Sequence, residues 1–313
     1  MPATAWTVLT ALCLVFAPPL AVLAADQAAP AKSDEAAKAP AGTALDEIMK
    51  DPNRKVGFIR KTLKLADGTE RIYQVWVPLP YTADKKWPVI LFLHGAGERG
   101  TDGEKVLIQG LPKEIKKRGG QFDFLVVMPQ CASFEIDKSA PPPPPGERPK
   151  RKGGWQGAEE ETAMAALHAT LKEYACDADR VYLTGLSLGG FGSFAFALKY
   201  PKEFAAVVPI CGGGPPERMA EIRDLPIWIW HGDADKTVPV DNSRRIAAAL
   251  VAAKAAELRY TEVPGVGHNS WDTTYADDNV WKWLAEHKLS DRGKAKPVSP
   301  VISAPGWADA PKP

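Results

Sequence analysis

The 313-residue sequence predicts an α/β fold: a mostly parallel central sheet with helices on both faces and an N-terminal antiparallel hairpin. Two strand-like segments flank the turn sequence Ala66-Asp67-Gly68-Thr69, which indicates the hairpin. After it, short apolar runs typical of buried parallel strands recur along the chain. Stretches with apolar residues at helical spacing separate most of these runs, and such repeats require right-handed crossovers.

The predicted elements alternate in chain order after the hairpin, whose strands are residues 56–65 and 71–77. The six further strands are short and apolar: residues 89–93, 124–128, 181–184, 205–210, 227–230 and 259–263. The helices between and after them have apolar positions three and four apart: residues 104–118, 159–174, 187–200, 241–253 and 277–286. Ligand-binding groups of such a sheet gather beyond the carboxyl ends of its strands.

The composition argues for a small or uncharged ligand. The formal net charge is only +1, and 45% of the residues are hydrophobic, as in an ordinary globular protein. Long-range attraction scales with charge imbalance, so we expect neither nucleic acid nor an anionic membrane surface as a partner.

The N-terminal segment has the pattern of an export signal. Residues 1–25 hold an apolar core too short to span a membrane, followed by small residues near Ala24 and Ala25. We expect a signal peptide and a secreted or periplasmic protein, with no stable membrane insertion after cleavage. Residues 26–50, rich in Ala, Pro and Lys, are expected to form a flexible linker.

The remainder reads as one domain, residues 51–289, followed by a Pro-rich tail, residues 290–313, expected to fray or drape over the surface. An insertion at residues 138–154 interrupts the domain. It contains five consecutive prolines, which favour a semi-rigid extended spacer.

Three cysteines remain if the signal peptide is removed: Cys131, Cys176 and Cys211. Their spacing matches no zinc motif, and we expect them to be small buried hydrophobic residues. One internal disulfide, between Cys131 and either of the others, remains an alternative in an oxidising compartment.

The most specific motif is Gly185-Leu186-Ser187-Leu188-Gly189, which lies between a predicted strand and a predicted helix. This is the pattern of a nucleophile elbow, in which small residues allow a serine to project from a sharp turn. The backbone N–H of Leu188 begins the helix, where partial positive charge favours an oxyanion.

A serine nucleophile needs a base and an acid that orients the base. His268 is the predicted base because it lies in a Gly-rich loop after the strand 259–263. Asp235 is the predicted acid, with Asp233 as the alternative that shapes the turn. His94 and His231 each end a strand as His-Gly, and we expect both to shape their turns.

A second oxyanion donor is expected after the strand 89–93, where the sequence reads His94-Gly95-Ala96-Gly97. Small residues there let backbone N–H groups approach a substrate closely. We predict the N–H of Ala96 as this donor, with Gly95 as the alternative.

These motifs together resemble the α/β-hydrolase superfamily, whose catalytic residues follow in the chain order Ser, Asp, His. Within it, the chain is similar to the secreted phospholipase/carboxylesterase-like "predicted peptidase" group. That group is similar to polyhydroxybutyrate depolymerases and to feruloyl and acetylxylan esterases of carbohydrate esterase family 1. The resemblance covers about residues 56–288 and departs from compact relatives at the insertion.

The resemblance implies a serine ester hydrolase that needs no cofactor and no metal and acts on a small-molecule or polysaccharide-linked ester. Trp155 and Trp271, with Phe134, fall in or beside loops near the expected cleft, where aromatic faces stack on sugar or phenolic rings. The alternative is that they pack the loops onto the sheet. A serine peptidase of the prolyl-oligopeptidase-like type and a non-catalytic binding module are the rival functions.

Overall fold

The computed structural model describes residues 43–65, 67–136, 151–294 and 298–307. The strands are β1 (Gly57–Lys64), β2 (Glu70–Val77), β3 (Trp87–Leu93), β4 (Leu125–Pro129), β5 (Glu135–Ile136), β6 (Arg151–Lys152), β7 (Cys176–Leu186), β8 (Ala206–Ile210), β9 (Ile227–Gly232), β10 (Leu258–Val263) and β11 (Val301–Ser303). The α-helices are α1 (Thr43–Lys50), α2 (Leu111–Lys117), α3 (Ala158–Glu173), α4 (Leu188–Lys199), α5 (Asp241–Ala252), α6 (Ser270–Ala276) and α7 (Asp278–Glu286). Short 3-10 turns are Ala96–Glu98, Lys105–Leu107, Pro216–Ile222 and Leu289–Asp291.

The central sheet has nine strands in the order β1-β2-β4-β3-β7-β8-β9-β10-β11. The hairpin strands β1 and β2 are antiparallel, and β2 is antiparallel to β4. From β4 to β11 every neighbouring pair is parallel. The predicted α/β-hydrolase fold, with its mostly parallel sheet and N-terminal hairpin, is confirmed.

Helices cover both faces of the sheet because successive side chains of each central strand point to opposite sides. Val89, Leu91 and Leu93 of β3 belong to a core that includes residues of α3, α4 and α5. Ile90 and Phe92 belong to the opposite core, which α1, α2, α6 and α7 complete. Both cores consist mainly of aliphatic and aromatic side chains, and such close-packed cores make the sheet a rigid platform for the loops at its ends.

One predicted helix is interrupted. The pattern of residues 104–118 predicts a continuous helix, but the structure has a 3-10 turn at Lys105–Leu107 and then α2 from Leu111. Gly110 separates them with a φ of +68°, and an added Cβ there would lie 2.4 Å from Leu186. Because the helix breaks at Gly110, α2 begins in contact with Leu186, the residue before Ser187.

The end of the predicted linker is ordered. Residues 43–50 form α1, whose Leu45 is buried beside Phe58. Leu45, Ile48 and Met49 lie over Gly57. The expected flexibility is therefore wrong for these eight residues, because their apolar side chains share one helical face.

Other predicted segments fall only partly within the described residues. The predicted signal peptide, residues 26–42 of the linker and residues 137–150 of the insertion lie outside them. The described ends of the insertion region pair as the short antiparallel strands β5 and β6. In the tail, β11 adds a parallel strand to β10. Within the described ranges, no helix is both long enough and apolar enough to cross a bilayer.

Candidate active site

Ser187 occupies a strained turn between β7 and α4. Its φ of 53° and ψ of −114° place it outside the regions that L-residues favour. Its backbone N–H donates to Ile210 O at 3.0 Å, and its carbonyl accepts from Phe191 N at 3.0 Å. These bonds hold the turn, and the serine hydroxyl projects beyond the carboxyl end of β7.

Three glycines allow this turn to form. A Cβ on Gly189 would lie 1.9 Å from Leu93 O, and one on Gly185 would lie 2.4 Å from Gly189 O. A Cβ on Gly190 would lie 2.3 Å from Ile210 O. Only glycine avoids these backbone clashes, so the glycines of the sequence motif serve close packing of β3, β7, α4 and β8.

The structure brings the predicted serine, histidine and aspartate together. Ser187 Oγ lies 2.9 Å from His268 Nε2, and His268 Nδ1 lies 2.7 Å from Asp235 Oδ2. With the proton on Nδ1, the imidazole donates to the carboxylate, and Nε2 accepts from the serine hydroxyl. The three residues follow β7, β9 and β10, whose carboxyl ends lie at one edge of the sheet.

Asp235 is buried and held by several donors. Its Oδ1 accepts from the backbone N–H groups of Thr237 at 2.8 Å and Val238 at 2.9 Å. Burial alone would raise the pKa of Asp235, but the hydrogen bonds from His268, Val238 and Thr237 outweigh burial and lower it. The carboxylate therefore stays ionised and oriented toward His268.

The neighbouring polar residues shape the loop that carries Asp235. Asp233 Oδ1 accepts from Gly265 N at 2.7 Å, so this carboxylate joins two loops and does not contact His268. His231 Nε2 lies 2.9 Å from Val238 O and 3.3 Å from Asp235 Oδ2, and its Nδ1 lies 2.7 Å from Ser243 Oγ. The alternative acid, Asp233, is thus placed away from the imidazole.

The loop after β3, residues 94–100, packs on the elbow. His94 is fully buried; its Nε2 accepts from Cys131 N at 2.9 Å, and its Nδ1 lies 2.6 Å from Gly95 O. Trp155 Nε1 donates to His94 O at 3.0 Å. Burial lowers the pKa of His94 to about 4, so the imidazole is neutral and serves as a bridge in the loop.

The two predicted oxyanion donors, the N–H groups of Leu188 and Ala96, lie on either side of the contact between the elbow and the loop 94–100. Leu188 is the first residue of α4, where a backbone N–H has no intrahelical partner. Ala96 begins the 3-10 turn Ala96–Glu98 and is partly exposed, and its N–H has no hydrogen-bond partner within the described residues. Both N–H groups are thus available to a ligand.

The two predicted aromatic contacts have different environments. Trp271 is the second residue of α6, and its ring meets that of His268 edge-on with centroids 5.3 Å apart. Trp155 is only 4% exposed and packs against His94 and Phe196. The predicted substrate contact of Trp155 is therefore wrong, because this indole is buried beneath the loop. Its burial follows from its hydrogen bond to His94, which the sequence does not reveal.

Phe134 lies nearer to the elbow than sequence spacing indicates. The Arg99 guanidinium lies 3.7 Å from its ring centroid, and Gly154 separates this ring from Leu188. Arg99 also donates from Nε to Ala96 O at 2.6 Å. An aromatic face and a cation therefore border the loop that carries Ala96.

The cysteines are free and buried, so the alternative of a disulfide is not realised in this structure. In the described part of the chain, one group of metal-ligand type was found, formed by Cys211, Asp235 and His268. Asp235 and His268 already bond each other, and burial raises the pKa of Cys211 to about 12. A protonated thiol is a poor ligand, so we assign no metal to this group.

A buried carboxylate, an imidazole and a hydroxyl in one hydrogen-bonded series can generate a serine nucleophile, and nearby N–H groups can stabilise an oxyanion. The sequence motifs locate each of these groups. They do not reveal the hydrogen bonds of His94 and His231, which connect residues distant in the chain.

Comparisons with known proteins concern the family and the fold of the chain. The family model Esterase, described as "Putative esterase", matches residues 66–291. A solved thermostable esterase has 33% identity and a TM-score of 0.58, covering 74% of this chain and 63% of that chain. A ferulic acid esterase of carbohydrate esterase family 1 from Anaeromyces mucronatus has 17% identity and a TM-score of 0.52, covering 76% and 93%. At that identity the likeness concerns the fold alone.

The curated relatives include a peptidase as well as esterases. Dipeptidyl-peptidase 5 of Porphyromonas gingivalis is 23% identical, over 80% of this chain and 39% of its own length. "Probable feruloyl esterase C" of Aspergillus flavus is 31% identical, over 40% of this chain and 48% of its own length. The chain thus matches less than half the length of each of these relatives. Because the family model covers well over half of the chain, the protein belongs to the Esterase family, on an α/β-hydrolase fold.

Proposed function

We propose that this protein is a secreted or periplasmic serine carboxylesterase that hydrolyses carbohydrate-linked or other small esters through an acyl-enzyme. The observation that carries the proposal is the hydrogen-bonded series from Ser187 Oγ through His268 to Asp235 Oδ2, with distances of 2.9 and 2.7 Å. Membership of the Esterase family supports the same reaction class.

In the acylation step, Ser187 Oγ attacks the ester carbonyl carbon while His268 Nε2 takes the hydroxyl proton. Asp235 stabilises the imidazolium that forms and keeps its ring in place. The carbonyl oxygen becomes an oxyanion, which accepts hydrogen bonds from the N–H groups of Leu188 and Ala96. His268 then protonates the departing alcohol, and the acyl group remains on Ser187.

In the deacylation step, water replaces the alcohol. His268 Nε2 takes a proton from the water, whose oxygen attacks the acyl carbon, and the same N–H groups hold the second oxyanion. Collapse of this intermediate breaks the bond to Ser187 Oγ and returns the proton to the serine. The carboxylic acid leaves, and no cofactor is consumed.

Trp271 is the residue best placed to contact the substrate. It adjoins the His268 ring, and its buried indole N–H has no hydrogen-bond partner within the described residues. The partly exposed ring of Trp271 would contact a sugar or phenolic ring of the substrate. This contact favours esters with an oxygen-rich or aromatic part.

The test measures hydrolysis of short p-nitrophenyl esters, acetylated xylan, feruloyl sugars and polyhydroxybutyrate by wild type and Ser187→Ala. We expect ester hydrolysis by wild type and a loss of at least about 10⁴-fold in kcat for Ser187→Ala. The matched control is Ser193→Ala, which removes a buried hydroxyl of α4, the helix that follows Ser187, bonded to Gly189 O. Unchanged ester hydrolysis by Ser187→Ala would refute the proposal.

A peptidase activity is the second candidate, since Dipeptidyl-peptidase 5 aligns with 80% of this chain. Amides require more help for the leaving group than esters do, because an amine leaves less readily than an alcohol. Dipeptidyl p-nitroanilides belong in the same assay. Faster turnover of these amides than of any ester would assign the enzyme to the peptidases.

A further inference from the structure

A second imidazole, which is fully buried, lies beside Asp235. His231 is the penultimate residue of β9, and none of its surface is exposed. Its Nε2 lies 2.9 Å from Val238 O and 3.3 Å from Asp235 Oδ2, the same carboxylate oxygen that faces His268. Two imidazoles therefore approach one oxygen of Asp235.

The two neighbours of His231 Nε2 determine which ring nitrogen carries the proton. Val238 O and an ionised Asp235 carboxylate only accept hydrogen bonds, so Nε2 must donate. In a neutral ring, Nδ1 then has no proton and can only accept. Burial lowers the pKa of His231, which favours the neutral ring, although Val238 O and Asp235 oppose the shift. The ring therefore needs a donor at Nδ1.

Ser243 supplies this donor. It is the third residue of α5, is fully buried, and places its Oγ 2.7 Å from His231 Nδ1. Its other neighbour, Gly212 O, lies 3.4 Å away, close to the limit of a hydrogen bond. The hydroxyl therefore donates to the imidazole, the shorter of its two contacts. Because neither side chain is exposed, bulk water does not compete for Nδ1.

The hydrogen bonds continue from His231 to Asp235 through the backbone of Val238. The carbonyl of Val238 accepts from His231 Nε2, and the N–H of the same residue donates to Asp235 Oδ1 at 2.9 Å. This series of bonds ends on the carboxylate oxygen that does not face His268. The position of the carboxylate thus depends on a residue of α5 that lies outside its own loop.

We propose that His231 and Ser243 are positioning residues for Asp235: the Ser243 hydroxyl keeps the proton of His231 on Nε2, and that N–H holds Val238 and with it the carboxylate. This inference rests on the proposed serine esterase function. Neither side chain contacts the substrate. Their effect passes through Asp235, whose Oδ2 must stay at 2.7 Å from His268 Nδ1 to orient that imidazole.

Four variants separate the N–H donor from the ring that carries it. His231→Gln keeps an N–H near the position of Nε2, because the amide of glutamine reaches as far as that nitrogen. His231→Asn has a shorter side chain, whose amide lies near the position of Nδ1 and leaves Val238 O without its donor. His231→Leu removes both nitrogens, and Ser243→Ala removes the donor to Nδ1.

The experiment measures hydrolysis of a p-nitrophenyl ester, with rates per active site counted by complete fluorophosphonate labelling of Ser187. We expect His231→Leu and His231→Asn to lower kcat about tenfold to hundredfold, with KM changed by less than about threefold. His231→Gln should keep kcat within about threefold of wild type. Ser243→Ala should lower kcat about threefold to tenfold, because a neutral ring without that donor also populates the other tautomer.

A double-mutant cycle with Asp235→Asn tests whether the effect passes through Asp235. In that background the carboxylate is already lost, so His231→Leu and Ser243→Ala should each lower kcat by less than about twofold. The matched control is Trp76→Phe, which removes another buried ring N–H bonded to a backbone carbonyl, that of Phe122, near the amino end of β4. It should lower stability without changing kcat per active site.

Three results would overturn the inference or a part of it. Wild-type kcat in His231→Leu, or the same loss in the Asp235→Asn background as in the wild-type background, would overturn the role of His231. Wild-type kcat in Ser243→Ala would overturn the role of Ser243. If His231→Leu does not fold, His231→Asn is compared with His231→Gln: a lower kcat in His231→Asn supports the role, and equal values overturn it.

Fluorophosphonate labelling separates this inference from the proposed function. A wild type that turns over no ester would contradict the esterase function. The rate of labelling depends on Ser187, its base and Asp235 but on no ester, so it still reports the position of the carboxylate. Slower labelling of His231→Leu than of wild type would support the positioning role, and equal rates would overturn it.

Discussion

Asp235 illustrates how a single residue depends on its loop. Backbone N–H groups of Thr237 and Val238 bind one of its carboxylate oxygens, and the other faces His268. The buried imidazole of His231 lies 3.3 Å from that second oxygen and bonds Val238 O. The carboxylate is therefore fixed before a substrate arrives.

Asp235→Asn should lower kcat by about 10⁴-fold, because an amide favours the wrong imidazole tautomer. Asp233→Asn keeps an oxygen that accepts from Gly265 N, so we expect a loss of less than about tenfold. Steady-state hydrolysis of a p-nitrophenyl ester by both variants checks this. A larger loss in Asp233→Asn would mean that the acid is misassigned.

At the residue scale, the sequence locates groups whose position depends on local chain geometry. Ser187, Asp235 and His268 each follow a strand, and parallel strands bring their carboxyl ends to one edge. Trp155 was misplaced because whether a loop aromatic packs inward depends on a partner 61 residues away, the carbonyl of His94. Local spacing contains no information about that partner.

At the element scale, the loop from His94 to Gly100 behaves as one unit. Its backbone is bonded to His94, Arg99, Gln130 and Cys131. The neutral imidazole of His94 is central to it, since its two nitrogens connect Gly95 and Cys131. Protonation of this buried ring would remove the acceptor for Cys131 N–H.

His94 should make the fold less stable in acid. Burial lowers its pKa from 6.5 to about 4, so between these values the unfolded chain binds a proton that the folded chain does not. The neutral imidazole's contribution to the free energy of unfolding is fully present above pH 6.5. It is lost as the pH falls toward 4, by about 3 kcal/mol in total.

Urea unfolding of wild type and His94→Gln across this pH range measures the effect. The two free energies of unfolding should converge as pH falls, because glutamine does not titrate. His168→Gln, which replaces an exposed histidine 3.3 Å from Glu203, is the matched control, and its free energy of unfolding should stay within about 0.5 kcal/mol of wild type. Parallel curves for His94→Gln and wild type would contradict the claim that burial of neutral His94 makes the fold less stable in acid.

The element boundaries that the sequence misses have tertiary causes. The pattern of residues 104–118 is helical throughout, but close contact of Gly110 with Leu186 and Phe92 breaks it. The short helix α6 is not among the predicted helices, yet its Tyr275 is buried and its hydroxyl bonds Thr184 Oγ1. Contacts with the sheet stabilise elements whose own periodicity is weak.

At the scale of the whole molecule, the sheet is extended by a segment from the tail. β11 pairs with the edge of β10, and Trp307 packs against Tyr260 with ring centroids 5.7 Å apart. Tyr260 donates to Glu262, which Arg244 binds through two nitrogens. The sequence indicated a tail over the surface, but its composition gives no strand signal.

Trp307→Ala should lower the free energy of unfolding by about 1–3 kcal/mol, because it removes a partly buried aromatic contact. Val301→Ala is the control: this side chain of β11 is 56% exposed, so its loss should cost less than about 0.5 kcal/mol. Chemical denaturation of both variants and wild type measures these free energies of unfolding. Equal stability of Trp307→Ala and wild type would mean that the tail contributes nothing to the sheet edge.

The most direct measurement of the central claim is covalent labelling with a fluorophosphonate, followed by mass spectrometry of the intact chain and its peptides. We predict one label per chain, on the peptide that contains Ser187, with loss of ester hydrolysis in proportion to labelling. His268→Ala should slow labelling at least about a hundredfold, since the serine then lacks its base. Labelling at another residue, or full hydrolysis by the labelled enzyme, would contradict the account.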